Sequence, residues 1–181
     1  LSVIGGLIIY GYLGMYPVFL REHLHFAPGE TGQIMSIYGV GVLCSLIGGW
    51  VGDRFSPKVV LSSAFLGATV LGYLLFSGAQ GFAVQALLSF AWGFIVSGTI
   101  YVNLAGFHVK AVTAPLAGRA SGAFVTSLYG AAAIAGYSIG FLANWAGWGN
   151  AGLIQITLLS ALGAVLSLAL RPELMSVRRG A

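Results

Sequence analysis

The sequence predicts an all-α membrane protein of six transmembrane helices, and three observations carry that reading. Six apolar stretches, at 1–20, 31–52, 59–77, 82–107, 121–145 and 151–170, each approach or exceed the roughly 20 residues that cross a bilayer as a helix. The 181-residue chain is 58% hydrophobic and only 7% charged, with a mean hydropathy of +0.94. Nearly all of that charge falls in the short segments between the stretches or after the last one. The runs are continuously apolar, whereas the strands of a membrane barrel alternate apolar and polar residues over about ten positions, so helices are preferred. The 28 glycines agree, glycine being more frequent in membrane helices than in soluble ones.

Taken in order, the first helix places Tyr12 and Tyr16 on one face, and Tyr16-Pro17 is expected to kink or unwind its outer half. The second opens on Ala27-Pro28-Gly29-Glu30, proline and an acid at a helix start, and carries Tyr38 and the single cysteine, Cys44. A lone cysteine forms no intrachain disulfide and says little about redox compartment. The third is expected to start at Ser56-Pro57, with Ser56 as N-cap. In the fourth, Gln85, Ser89, Trp92, Thr99 and Asn103 fall near one face, interrupted by Val96, which predicts a stripe turned to water or a partner helix rather than lipid. Thr126 and Tyr137 lie on the fifth, whose outer end is bracketed by Trp145 and Trp148. The sixth is stopped by Pro172, and the third and sixth read as lipid-facing supports. Residues 1–171 are thus expected to form one bundle and residues 172–181 a tail.

Charge sets the orientation. Arg54 and Lys58, Lys110 and Arg119, and Arg171, Arg178 and Arg179 share one side, against Arg21 on the other. By the positive-inside rule the first side is cytoplasmic, as are both ends of the chain. A net charge of +4 then reflects topology, and no nucleic-acid partner is needed to explain it. The chain begins inside an apolar helix without a methionine, a basic leader or a cleavage site, as expected of part of a longer polypeptide.

The most specific local sequence is Gly48-Gly49-Trp50-Val51-Gly52-Asp53-Arg54-Phe55-Ser56-Pro57-Lys58. It resembles the signature loop between the second and third helices of each half of the major facilitator superfamily, in which a glycine precedes an Asp-Arg pair by four positions and a basic residue follows. Here those are Gly49, Asp53, Arg54 and Lys58, with Gly52 immediately before the pair. Ser56 stands where a glycine is usual and Val59 where a second basic residue is often found, a degeneration that suits the second copy of the loop. Tyr16-Pro17 and Gly118-Arg119-Ala120-Ser121-Gly122 add to the resemblance.

The resemblance implies the C-terminal half of a twelve-helix transporter, helices seven to twelve, with the N-terminal six-helix half of the same polypeptide as its partner. It implies two inverted three-helix repeats, which Gly140 to Gly147 echo by repeating the Gly49-Asp53-Ser56 spacing. It implies a latch at Gly49, Gly52, Asp53, Arg54 and Lys58, and a path for a small organic solute along the first, second, fourth and fifth helices. Candidates for that path are Tyr12, Tyr16, Tyr38, Gln85, Trp92, Asn103, Thr126 and Tyr137.

No Asp, Glu, Lys or Arg lies in the middle of a helix, and His108 sits at a helix end, so a proton-coupling group is expected in the other half. An intramembrane serine protease is excluded because Arg119-Ala120-Ser121-Gly122 lacks the first glycine of its motif and no histidine follows. Aquaporin loops, closely spaced metal ligands, a phosphate-binding loop and a dinucleotide fingerprint are missing too, so no cofactor or metal is expected. The expectation is a secondary transporter in a bacterial inner membrane; a receptor-like or scaffold protein on the same fold is the alternative.

Overall fold

The computed structural model describes residues 1–77 and 81–175. Six helices among them are long and apolar enough to span a membrane: α1 (Ser2–Glu22), α2 (Pro28–Arg54), α3 (Pro57–Phe76), α4 (Phe82–Lys110), α5 (Ala114–Ala146) and α6 (Trp148–Leu168). Several are longer than the apolar stretches, because polar or basic turns extend them. α5 begins seven residues before 121 and takes Gly118-Arg119-Ala120 into its first turns, and α4 runs on to Lys110. Arg178 and Arg179 lie outside the described residues.

Helix starts follow local chemistry, with one correction. At α2, Pro28 occupies the first turn and the Glu30 carboxylate accepts the Ala27 N–H at 2.9 Å, satisfying a donor that no preceding turn can serve. At α3, Ser56 sits at the N-cap position but its hydroxyl makes no capping bond; Pro57 at the first position fixes the entry, and the Ser56 carbonyl takes the Val60 N–H. α1 does not unwind at Pro17 but continues to Glu22. Irregularity appears elsewhere. α2 tightens at Cys44 (φ −70°, ψ 6°), α4 widens to π geometry over Gly93–Tyr101, and α6 does so over Leu153–Leu158.

The helices pair in a symmetric way. The most extensive contacts are α1 with α5, α3 with α6, and α2 with α4. Exchanging α1 with α4, α2 with α5 and α3 with α6 maps that set of pairs onto itself. Because each exchanged helix runs in the opposite direction across the bundle, the relation is an inverted repeat. One contact is repeated in detail: a Cβ on Gly6 of α1 would collide with the Leu128 carbonyl of α5, and one on Gly93 of α4 with the Tyr38 carbonyl of α2. The echo at Gly140 is of the same kind: a Cβ on Gly140 of α5 would meet Met15 Cε of α1 at 3.7 Å, as one on Gly49 of α2 would meet Val102 Cγ1 of α4 at 3.7 Å.

The core runs along α1 and α4, where Ile8, Tyr12, Tyr16, Phe19, Trp92 and Ile100 are fully buried. α6 contributes more polarity to that interior than its composition suggests. Buried Gln155 donates to the Ala135 carbonyl of α5 at 2.9 Å and the Leu7 carbonyl of α1 at 3.4 Å, and accepts from the Ser138 hydroxyl at 2.7 Å. It ties three helices together at one point. The outer sides of α3 and α6 present Leu66, Val70, Leu162 and Val165.

Candidate functional site

The charged described residues cluster at the two ends of the bundle. Asp53, Arg54, Lys58, Lys110, Arg119, Arg171 and Glu173 mark a basic end, and Arg21, Glu22 and Glu30 the opposite one. At the basic end the close of α2 meets the close of α4. The Lys110 ammonium donates to Asp53 Oδ1 at 2.6 Å, with the two side chains 38% and 73% exposed. So wet a pair is worth only about 0–1 kcal/mol, weak enough to break and reform in a working cycle. Arg54 lies over the Trp50 ring, 5.6 Å from its centroid, and Lys58 is exposed on the first turn of α3.

One turn deeper the contact is backbone against amide. The buried Asn103 amide donates to the Gly48 carbonyl at 2.8 Å and to the Thr99 carbonyl of its own helix at 2.9 Å. A Cβ on Gly52 would fall on that same amide, so Gly52 is what lets α2 reach Asn103. Gly49 has ordinary room, with Val102 Cγ1 at 3.7 Å. The signature loop therefore divides into a glycine face that docks on α4 and charges that stay in water.

Further in, the polar stripe of α4 turns toward α1 and α2. The hydroxyls of Tyr12 and Ser89 are 2.8 Å apart, Tyr16 donates to Gln85 Oε1 at 2.6 Å, and the hydroxyls of Tyr38 and Ser97 are 2.7 Å apart. Tyr12 is the centre of an aromatic column, with ring centroids 4.5 Å from Tyr16, 5.2 Å from Tyr38 and 5.4 Å from Trp92. Trp92 is fully buried, and its indole N–H has no acceptor among the described residues. An unsatisfied buried donor costs about 1–3 kcal/mol, which marks the place where an acceptor would be welcome. Of the candidate path residues, Tyr12, Tyr16, Tyr38, Gln85 and Trp92 thus meet in this column and Asn103 at the docking point below it. Thr126 and Tyr137 do not join them. They stand on the open face of α5, with Tyr137 78% exposed.

A second cluster has no counterpart in the sequence reading. Tyr10 of α1, Tyr101 of α4 and Tyr129 of α5 converge on the open side of the bundle. The Tyr10 and Tyr129 rings are 5.6 Å apart, and the Tyr129 hydroxyl is the neighbour shared by the other two hydroxyls. Each comes from a different helix, so no spacing along the chain announces them. From Tyr101 an aromatic series continues through Phe124 at 5.6 Å to His108, a further 5.4 Å on. His108 Nδ1 lies 2.7 Å from the Leu104 carbonyl and Nε2 3.4 Å from the Ser2 hydroxyl, which holds the ring at the helix end.

With a bundle of paired inverted repeats and a signature loop docked on a neighbouring helix, a comparison with known families decides the assignment. The model of the Major Facilitator Superfamily matches residues 1–180. The chain belongs to that superfamily. No curated protein matches the chain. Membership in the major facilitator superfamily makes this an integral membrane protein and, in general terms, a transporter of small solutes rather than an enzyme. Its six helices form half of a major facilitator fold.

Proposed function

We propose that the chain is the C-terminal half of a secondary transporter that moves a small organic solute by alternating access, with the six-helix N-terminal half of the same polypeptide completing the path. The observation that carries this reading is the uneven covering of the helices. In the most apolar stretches of α2 and α5 only 22% of residues are buried, against 56% in α1 and 44% in both α3 and α4. Those two bare helices carry the Asp53 loop and the open polar residues Thr126 and Tyr137, which lipid alone does not suit. A second bundle laid against α2 and α5 covers them and encloses a path beside α1 and α4.

In this reading the Asp53–Lys110 pair and the Gly48/Gly52 docking face form the latch with Gly49, Arg54 and Lys58. The tyrosines, Gln85, Trp92, Asn103 and Thr126 line or support the path. The basic end is cytoplasmic by the positive-inside rule, which places both chain ends there and suits a bacterial inner membrane. Any proton coupling resides in the other half, because the charged described residues all sit at helix ends.

The test is solute counterflow in vesicles reconstituted with the native polypeptide and with Asp53→Asn. The substitution leaves solute binding within about twofold and slows flux by about fivefold or more, the range of a coupling energy between conformations. Unaltered flux removes the latch from the mechanism. The intact mass of the native polypeptide tests the partner half, since a value near 18.7 kDa leaves no room for six further helices.

A further inference from the structure

The Tyr10, Tyr101 and Tyr129 cluster suggests what kind of solute the path takes, and the inference rests on the transporter reading above. Tyr10 lies eight residues from the start of α1, and Tyr101 nine from the end of α4, both counted from the basic end. At 1.5 Å per residue that is roughly 12–14 Å into the bundle, and the ring contact with Tyr10 puts Tyr129 at the same level. Tyr10 and Tyr101 are half-buried and Tyr129 is 45% exposed, so the hydroxyls open onto the uncovered side. Hydroxyls at that depth are costly against acyl chains, which sets this face toward water or solute.

The chemistry of the cluster is uncharged throughout. Among the described residues no Asp, Glu, Lys or Arg lies at this depth, and the Phe124 ring stands between Tyr101 and His108. A carboxylate or an ammonium brought here sheds its hydration without a counter-charge from these helices, a loss of several kcal/mol. A tyrosine hydroxyl both donates and accepts, as the hydroxyls of a polyol do, and a ring face suits the C–H surface of such a molecule. We propose that Tyr10, Tyr101 and Tyr129 form a binding site for an uncharged, hydroxyl-rich solute, with the Tyr129 hydroxyl as the shared contact.

Purified native polypeptide is tested by calorimetry against glucose, xylitol and myo-inositol, and against benzoate and tetraethylammonium as charged probes. Counterflow of the same labelled compounds is measured in parallel. At least one polyol binds, Tyr129→Phe weakens it by about fivefold to tenfold, the worth of one hydrogen bond, and Tyr10→Phe and Tyr101→Phe do so to a smaller extent. Tyr73→Phe, exposed on α3, leaves binding unchanged and controls for loss of any surface hydroxyl. An unchanged elution profile and helical circular dichroism show that the variants fold. Failure of all three polyols to bind overturns the proposal, as does equal binding by Tyr129→Phe. Tyr129-dependent polyol binding without flux removes the transport reading and leaves this site standing. Flux of benzoate or tetraethylammonium with no polyol binding does the reverse.

Discussion

Asn103 shows how one side chain serves two helices. Its amide holds the Gly48 carbonyl at 2.8 Å and the Thr99 carbonyl at 2.9 Å, and it fills the space that Gly52 leaves open. Asn103→Ala therefore removes a partner from a buried carbonyl and opens a gap at the same place. The expected loss is about 1–3 kcal/mol, read as a lowered unfolding midpoint in detergent, and an unchanged midpoint would mean that the amide is not structural. Asn103, Tyr12, Tyr16 and Trp92 could be picked from the sequence because each sits on a helical face that repeats every three or four residues. Tyr10, Tyr101 and Tyr129 could not, because three residues on three helices share no period. Gln155 escaped for a related reason: it lies in a mainly apolar run without a polar stripe, and only the approach of α1 and α5 gives its amide three partners.

Hydropathy defines helices by their apolar middles, so the six helices were legible and their ends were not. α2 and α4 run past the end of their apolar stretches and α5 begins well before its own, because basic and small residues at the membrane edge still continue the helical ladder. The π turns of α4 and α6 and the tight turn at Cys44 leave no compositional mark. They arise where one helix presses on another, as where Gly98 of α4 faces the Gly41 carbonyl and the Ser45 N–H of α2. Close packing of α2 on α4 gives a prediction for the pair. Gly52→Leu drives a side chain into the Asn103 amide and costs about 1–3 kcal/mol of stability, whereas Gly32→Leu, with open space around it, costs little. Thermal unfolding of both variants checks the contrast, and equal midpoints would mean that α2 does not dock through Gly52.

For the whole molecule, the unequal lengths of the helices have a consequence for the bilayer it inhabits. α1, α3 and α6 have 21, 20 and 21 residues, and α2, α4 and α5 have 27, 29 and 33. At 1.5 Å per residue the first group is about 30 Å long and the second about 40–50 Å. A hydrocarbon layer about 30 Å thick matches the short group, while the long helices tilt or project into water. α3 and α6, with leucine and valine on their outer sides, therefore set the thickness the protein demands. In vesicles made from lipids of increasing acyl length, flux is expected to be greatest where the layer is near 30 Å and to fall as it thickens. A profile independent of acyl length would show that the long helices, not the short ones, bear the lipid. Where the profile does peak, hydrophobic mismatch is felt first at α3 and α6, so the membrane's own thickness becomes a control exerted through two helices outside the proposed path.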